Sequence, residues 1–522
     1  MKKLYSLAVF AVLAGAAVLF YSFSSKNPAA FLPGVINVEG GQVSGVKSET
    51  SDVISFKGIP FAAPPVGNLR WKAPQPVEHW TGVKKCDVFG PSPMQAKPVP
   101  FGVYTKEFLI PDAPISEDCL YLNVWAKNNI GPKKPVFVWI YGGGFSSGGA
   151  GVPIYDGEAM AKKGVIFVSI NYRVGIFGFL AHPELSKESP GNVSGNYALL
   201  DQIEALKWVK KNIAKFGGDP NNVTIAGQSA GSMSVNCLIA SPVAKGLFNK
   251  AIAESGSFMV ANPLIQSKTL KDAEAEGVKV ATTLHANTLE ELRKLSAEDL
   301  MKAPARFSPI VDGYVLPEPV AKIFAEHKEN SIPLLTGWNA DEAFVFKYQT
   351  KEEFKKDAER QYGKEAETFL KFFQANTEEE AVHSQNKLSR DMIFAASGYK
   401  WASMQASRKA PVYVYYFQHK LPATPDFEKY GAFHTGEVAY IMDDLKFLNR
   451  RWKPEDHMLA GQMSAYWVNF IKTGNPNGGG LPEWPKYNNS QSRVIVFDDK
   501  AITSPLPDKA ELEFVLKHLE GK

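Results

Sequence analysis

Two serines in this sequence sit in the spacing G-x-S-x-G, Ser146 in GFSSG (Gly144 to Gly148) and Ser229 in GQSAG (Gly227 to Gly231). That spacing suits a serine held on a sharp turn between a strand and a helix, where a neighbouring base can turn its hydroxyl into a nucleophile. A chain with 42 glycines produces such pentapeptides by chance, so the flanking elements must decide between the two. Before Ser229 the run NVTIAG is β-branched and apolar, and after it SAGSMSVNCLIA is small, apolar and compatible with a helix. Ser146 also follows a strand-like run, VFVWIY, but what comes next is GGAGVPIYDG, and glycines with a proline cannot supply the helix. Context selects Ser229. At its turn the amide of Ala230 is unpaired at a helix start and aimed where a developing oxyanion would sit. The triplet Gly142 to Gly144 in WIYGGGF then takes another role, because backbone N–H groups without Cβ atoms can approach a ligand closely. A plain tight turn is the alternative reading of the triplet.

The elements that must hold these loops are legible from periodicity. From about residue 120, LYLNVWA, PVFVWIY, VIFVSINY and VTIAG are short apolar runs bounded by Gly, Pro or Asn. Between them lies ALLDQIEALKWVKKNIAKF, with Leu199, Ile203, Leu206 and Val209 at helical spacing. Strands alternating with helices predict an α/β fold, a mostly parallel sheet with helices on both faces. The earlier part, GVINVEGGQVSGV and VISFKGIPFAAPP, reads as short strands. Lys97 to Pro114 and Leu421 to Phe433 read as long surface loops, a length often tied to function.

Composition narrows the function classes. The 522 residues are 45% hydrophobic and 21% charged, ordinary for a protein with a large core. The net charge of +4 (58 basic against 54 acidic residues) leaves no basic footprint for nucleic acid. Three cysteines without a C-x-x-C, and no H-E-x-x-H, argue against a disulfide scaffold or a zinc site. At the N-terminus Lys2 and Lys3 precede an apolar run from Leu7 to Phe23, the pattern of an export signal. As a helix that run is roughly 26 Å long, enough for an uncleaved membrane anchor as well. Either reading sends the rest of the chain out of the cytoplasm, to the periplasm or beyond. The expected organisation is a signal or anchor over residues 1–25 and a single catalytic domain over 31–515.

WIYGGGF, SEDCLYLNVW, NYRVGIFGFL, LLDQIEALKWVKKNIAKFGGDPNNVTIAGQSAGS and IKTGNPNGGGLPEWPKY together resemble the type-B carboxylesterase family, which includes the cholinesterases. The similarity runs from about Gly34 to Phe497. It implies an α/β-hydrolase fold with long loops over the active site, and it matches Gly143, Gly144 and Ala230 to the family's oxyanion hole. In such folds the catalytic residues follow the chain order serine, acid, histidine. Of the late histidines, His383, His457 and His518 lie in polar helical patterns, and His419 ends the strand-like VYVYYFQH and stays an alternative base. His434, in GAFHTGEVAYIM, matches the family's histidine. The run IPLLTGWNADEAFVF offers Asp341 and Glu342 past a buried strand. The resemblance selects Glu342, with Asp341 as the alternative and Ala343 where the family has glycine. Asp312, in SPIVDGYVLP, reads as a turn former. By resemblance Arg70 pairs with Glu117 and Arg173 with Asp201, as scaffold contacts.

What this implies is a serine esterase that forms an acyl-enzyme on Ser229, with His434 as base, Glu342 orienting it, and no metal or cofactor. Two departures bear on substrate. Gln228 stands where cholinesterases carry glutamate, and the loop GVYTKEFLIPDAPI lacks the tryptophan with which they hold a quaternary ammonium. The expected substrates are therefore uncharged small to medium carboxylic esters. The family's early disulfide partner is also missing from FGPSPMQ, which leaves pairing of Cys119 with Cys86 as an alternative and Cys237 as a buried thiol. Rival readings are a non-catalytic adhesion or scaffold protein, a lipase, and an amidase with the same triad.

Overall fold

The apolar runs line up as an eleven-stranded sheet in the computed structural model, which describes residues 34–521 apart from 113, 129–132, 262 and 265–266. The expected signal or anchor lies outside those residues. In chain order the strands are β1 (Val46–Lys47), β2 (Val53–Pro60), β3 (Tyr121–Lys127), β4 (Lys134–Ile140), β5 (Ile166–Ile170), β6 (Gly218–Gln228), β7 (Lys250–Glu254), β8 (Leu334–Asn339), β9 (Val412–Phe417), β10 (Arg493–Phe497) and β11 (Ala501–Pro505). Their spatial order is β11-β10-β9-β8-β7-β6-β4-β5-β3-β2-β1. The stretch from β10 across to β5 is parallel throughout, and antiparallel pairs close both edges. The expected α/β-hydrolase architecture is what forms.

Burial explains why these runs are apolar without alternation. Every residue of β5, β7, β8 and β9 is buried, because helices cover the sheet on both faces. Helix α1 (Tyr197–Asn212) turns Leu199, Ile203, Leu206 and Val209 inward, the positions its spacing marked. Its expected last turn, Ile213–Phe216, tightens to a 3-10 turn, and Gly217 ends it in the left-handed region at φ 84°. Helix α2 (Ala230–Ala240) is buried along its whole length, which requires the small side chains of AGSMSVNCLIA.

The resemblance-based scaffold pairs are present: Arg70 meets Glu117 at 2.5 Å and Arg173 meets Asp201 at 2.7 Å. Cys86 and Cys119 are not joined; they and Cys237 are buried free thiols, and burial pushes Cys86 up to about 11. The long loop at 97–114 carries a short 3-10 turn (Lys106–Phe108) and folds over the end of the sheet where the site lies.

Candidate active site

Ser229 sits between β6 and α2 with φ 58° and ψ −124°, a conformation that costs a non-glycine residue on the order of 1–3 kcal/mol and persists only where neighbours enforce it. They do. Its amide donates to Glu254 O at 2.8 Å, its carbonyl accepts from Met233 N at 2.9 Å, and the Ser232 hydroxyl donates to Gly256 O at 2.6 Å. The flanking glycines are steric necessities: a Cβ on Gly227 would lie 2.5 Å from the Gly231 carbonyl carbon, and one on Gly231 would lie 2.1 Å from Ile140 O. Ser146 has none of this. It is exposed in a turn without a following helix, and its hydroxyl donates to Gly143 O at 3.2 Å.

The glycine loop lies beside the elbow. Gly143 (φ 116°) and Gly144 (φ 61°) both need the left-handed region, and a Cβ on Gly143 would come within 2.3 Å of Ser147 O. Among the described residues the amides of Gly143 and Gly144 donate to no protein acceptor. Ala230 opens α2, so its amide is also an orphan of the first turn. Three unpaired donors thus border the Ser229 hydroxyl's cavity.

His434 is buried, and its Nδ1 lies 2.8 Å from Oε2 of Glu342, which has no exposed surface. The other carboxylate oxygen of Glu342 accepts from Asn339 N at 3.0 Å, which ties it to the end of β8. Asn339 also donates through Nδ2 to Phe433 O at 2.9 Å and to Glu437 at 2.5 Å, so one side chain fastens the histidine loop to the end of the strand that precedes Glu342. Asp341, the alternative acid, points elsewhere: its Oδ2 accepts from Ala432 N at 2.8 Å. His419, the alternative base, is buried against Asp456 at 2.8 Å. His383 and His457 are exposed, and His518 meets Glu365. Asp312 accepts from Tyr314 N and Leu316 N, the turn role expected of it.

The imidazole is clamped by rings that the sequence did not announce. Phe394 stacks on it at 4.5 Å between centroids and 19° between planes, and Phe344 meets it edge-on at 5.4 Å. Phe394 reaches it from a π-helical turn, Asp391–Ala395, inserted between two α-helices, and such a turn has no periodicity signal. Tyr104 adds a hydrogen bond from its hydroxyl to His434 O at 2.9 Å. Gln228, buried beside the ring, places its amide nitrogen 3.1 Å from His434 Nε2. Behind the histidine, burial and Glu342 push Glu437 up to about 8, and burial also raises Glu254.

Ser229, His434, Gly143, Gly144 and Ala230 open onto one cavity of about 900 Å³. Its walls are mainly apolar, with Phe101, Phe108, Phe346 and Phe394 among them. Among the described residues one group, His419 with Asp498 and Asp499, has ligand atoms close enough for a metal ion, all within 4.8 Å; it shares no residue with this cavity.

Comparison with known proteins bears on the family and the fold. A model of the carboxylesterase family matches residues 33–515. The fumonisin B1 esterase of Sphingopyxis macrogoltabida is 38% identical over 87% of this chain and 84% of its own length. The para-nitrobenzyl esterase of Bacillus subtilis (strain 168) is 36% identical over 89% of this chain and 95% of its own. A solved PNB esterase structure superposes with a TM-score of 0.77 at 34% identity, covering 93% of this chain and all of that one.

Proposed function

The chain belongs to the carboxylesterase family and is an ester hydrolase, and we propose that it works through an acyl-enzyme on Ser229, with His434 as general base and Glu342 as the acid that orients it. The observation that carries this reading is the 2.8 Å contact between Glu342 and His434 Nδ1 in the cavity that also holds the strained Ser229 elbow. With Nδ1–H donated to the buried carboxylate, the imidazole presents a lone pair at Nε2. That nitrogen takes the proton as Ser229 Oγ attacks the acyl carbon, then returns it to the departing alcohol. The charge that develops on the carbonyl oxygen is met by the amides of Gly143, Gly144 and Ala230, each such donor being worth about 10²–10³ in rate. Water, activated by the same histidine, then frees the acid.

The substrates this reading favours for the cavity are uncharged small to medium carboxylic esters. Its walls offer phenylalanine faces rather than tryptophan, and among the described residues no carboxylate lines it. Both features weigh against a quaternary ammonium. The apolar run at residues 7–23 supports export, with the catalytic part working outside the cytoplasm. The test is turnover of p-nitrophenyl esters of increasing acyl length, with a burst of p-nitrophenol equal to the enzyme concentration as the sign of an acyl-enzyme. With methanol added, a ratio of methanol transfer to hydrolysis that changes with the leaving group at fixed acyl group would contradict a shared acyl-enzyme.

A further inference from the structure

The charge lining the cavity is one-sided. No aspartate or glutamate faces it among the described residues, yet Lys268 and Arg306 both do. The acidic groups nearest the chemistry are turned away: Glu342 is spent on His434, and Glu254 and Glu437 have no exposed surface. Gln228 is an uncharged amide in that inner wall.

The two cations share a wall. Val311 N donates to Lys268 O at 2.9 Å and Leu270 N to Val311 O at 2.9 Å, which sews the segment bearing Lys268 to the one that follows Arg306. That second segment is pinned further along by Asn196, whose side chain donates to Ile310 O at 2.8 Å and accepts from Ile310 N at 3.0 Å. At its start Leu300 is buried in a satellite core with Leu292 and Val280. Arg306 is thus carried on a span held at both ends. Lys268 has its own counter-ion, Glu276 on the following helix. Arg306 has neither an ion pair nor a side-chain hydrogen bond among the described residues. A solvated surface arginine is ordinary. Arg306 is exposed too, but it lines the cavity, and among the described residues it has no ionic partner and no carboxylate lines the cavity with it.

We propose that Arg306, the cavity-lining cation without a counter-ion among the described residues, is a subsite for a carboxylate borne by the substrate away from the reacting ester. The substrates so favoured are half-esters of dicarboxylic acids and similar anionic esters. A guanidinium presents a planar fork that a carboxylate can meet with two parallel hydrogen bonds. The inference rests on the esterase reading above and names its substrate class more closely: an uncharged ester satisfies the apolar walls alone, and an anionic one adds the arginine.

The experiment compares mono-p-nitrophenyl glutarate with p-nitrophenyl pentanoate, which have similar acyl length and differ in terminal charge. In the wild-type enzyme kcat/KM should favour the glutarate by about tenfold at low salt, as one charge-assisted hydrogen-bonded pair allows. The preference should sit mainly in KM and shrink as ionic strength rises from about 0.02 to 0.5 M. In Arg306→Gln the ratio of the two kcat/KM values should fall toward one, and Arg306→Lys should keep part of it. A wild-type enzyme that turns over the pentanoate as well as or better than the glutarate would overturn the subsite and leave the esterase reading standing. A preference that survives in Arg306→Gln would overturn it too. Failure to hydrolyse either ester would overturn the esterase reading and the subsite together.

Discussion

Gln228 Nε2 lies 3.1 Å from His434 Nε2, the nitrogen proposed to receive the Ser229 proton, and 3.3 Å from His434 Nδ1. Nδ1 faces Glu342; near-equal distances to the two ring nitrogens set the Gln228 amide against the ring, and its carbonyl oxygen accepts from the Thr435 hydroxyl at 3.3 Å. The amide supports the ring without adding charge, and the contact of the ring with the serine tightens when substrate arrives, as catalytic hydrogen bonds commonly do. A carboxylate in its place would favour the imidazolium. The acid limb of kcat/KM against pH reads the protonation of the base in the wild type. It should move upward by about one pH unit in Gln228→Glu. Rates for a neutral p-nitrophenyl ester between pH 5 and 8.5 read both limbs. An unmoved limb would mean that Gln228 does not sense the base.

Phe394 stacks on the same ring, so its removal should loosen the imidazole without touching substrate polarity. An aromatic pair is worth about 0.5–1.5 kcal/mol, so Phe394→Leu should lower kcat by roughly three- to tenfold. Phe394→Tyr should restore most of it. Equal losses in both variants would point to a general packing defect instead of ring support.

How much of this was legible in the sequence depended on distance along the chain. The elbow was, because its requirements are local: glycines where strand and helix cross, a β-branched run before and a small-residue helix after. The proposed base was chosen over His419 by resemblance: His419 ends a strand-like apolar run, His434 lies in a glycine-punctuated loop ahead of one, and the carboxylate that meets His434 is 92 residues away from it. Asp341 and Glu342 are adjacent, and only the backbone turn decides that one faces Ala432 and the other His434. The π-turn that delivers Phe394 breaks the very periodicity by which helices are read. The cysteine alternative failed for a related reason: Cys86 and Cys119 are near in sequence, but each is buried as a free thiol.

Glu437 gives the pH dependence of stability a defined sign. Burial and the charge of Glu342 push it up to about 8, so the folded protein keeps a proton that the unfolded chain releases near pH 4.3. The folded state binds more protons across that window, so this group's contribution falls as pH rises from about 4 to 8 and is level above. Glu437→Gln removes it. Wild-type Tm measured relative to the variant should decline from about pH 5 to 8, and a flat difference would contradict the assignment.

Arg173 and Asp201 form a buried ion pair, with a second contact from Arg173 N to Asp201 at 3.0 Å. Removing one partner strands the other charge, so Asp201→Ala should cost about 3–5 kcal/mol in chemical denaturation. Exposed pairs such as Lys294 with Glu290 should cost under about 1 kcal/mol.

The central claim is that Ser229, and not Ser146, carries the acyl group. Wild type, Ser229→Ala and Ser146→Ala should be assayed side by side on p-nitrophenyl pentanoate, with the intact mass of each protein taken during turnover. Ser229→Ala should lose about six orders of magnitude in kcat and show no acyl adduct, while Ser146→Ala should keep the adduct and appreciable activity. An active, acylated Ser229→Ala beside an inactive Ser146→Ala would contradict the account.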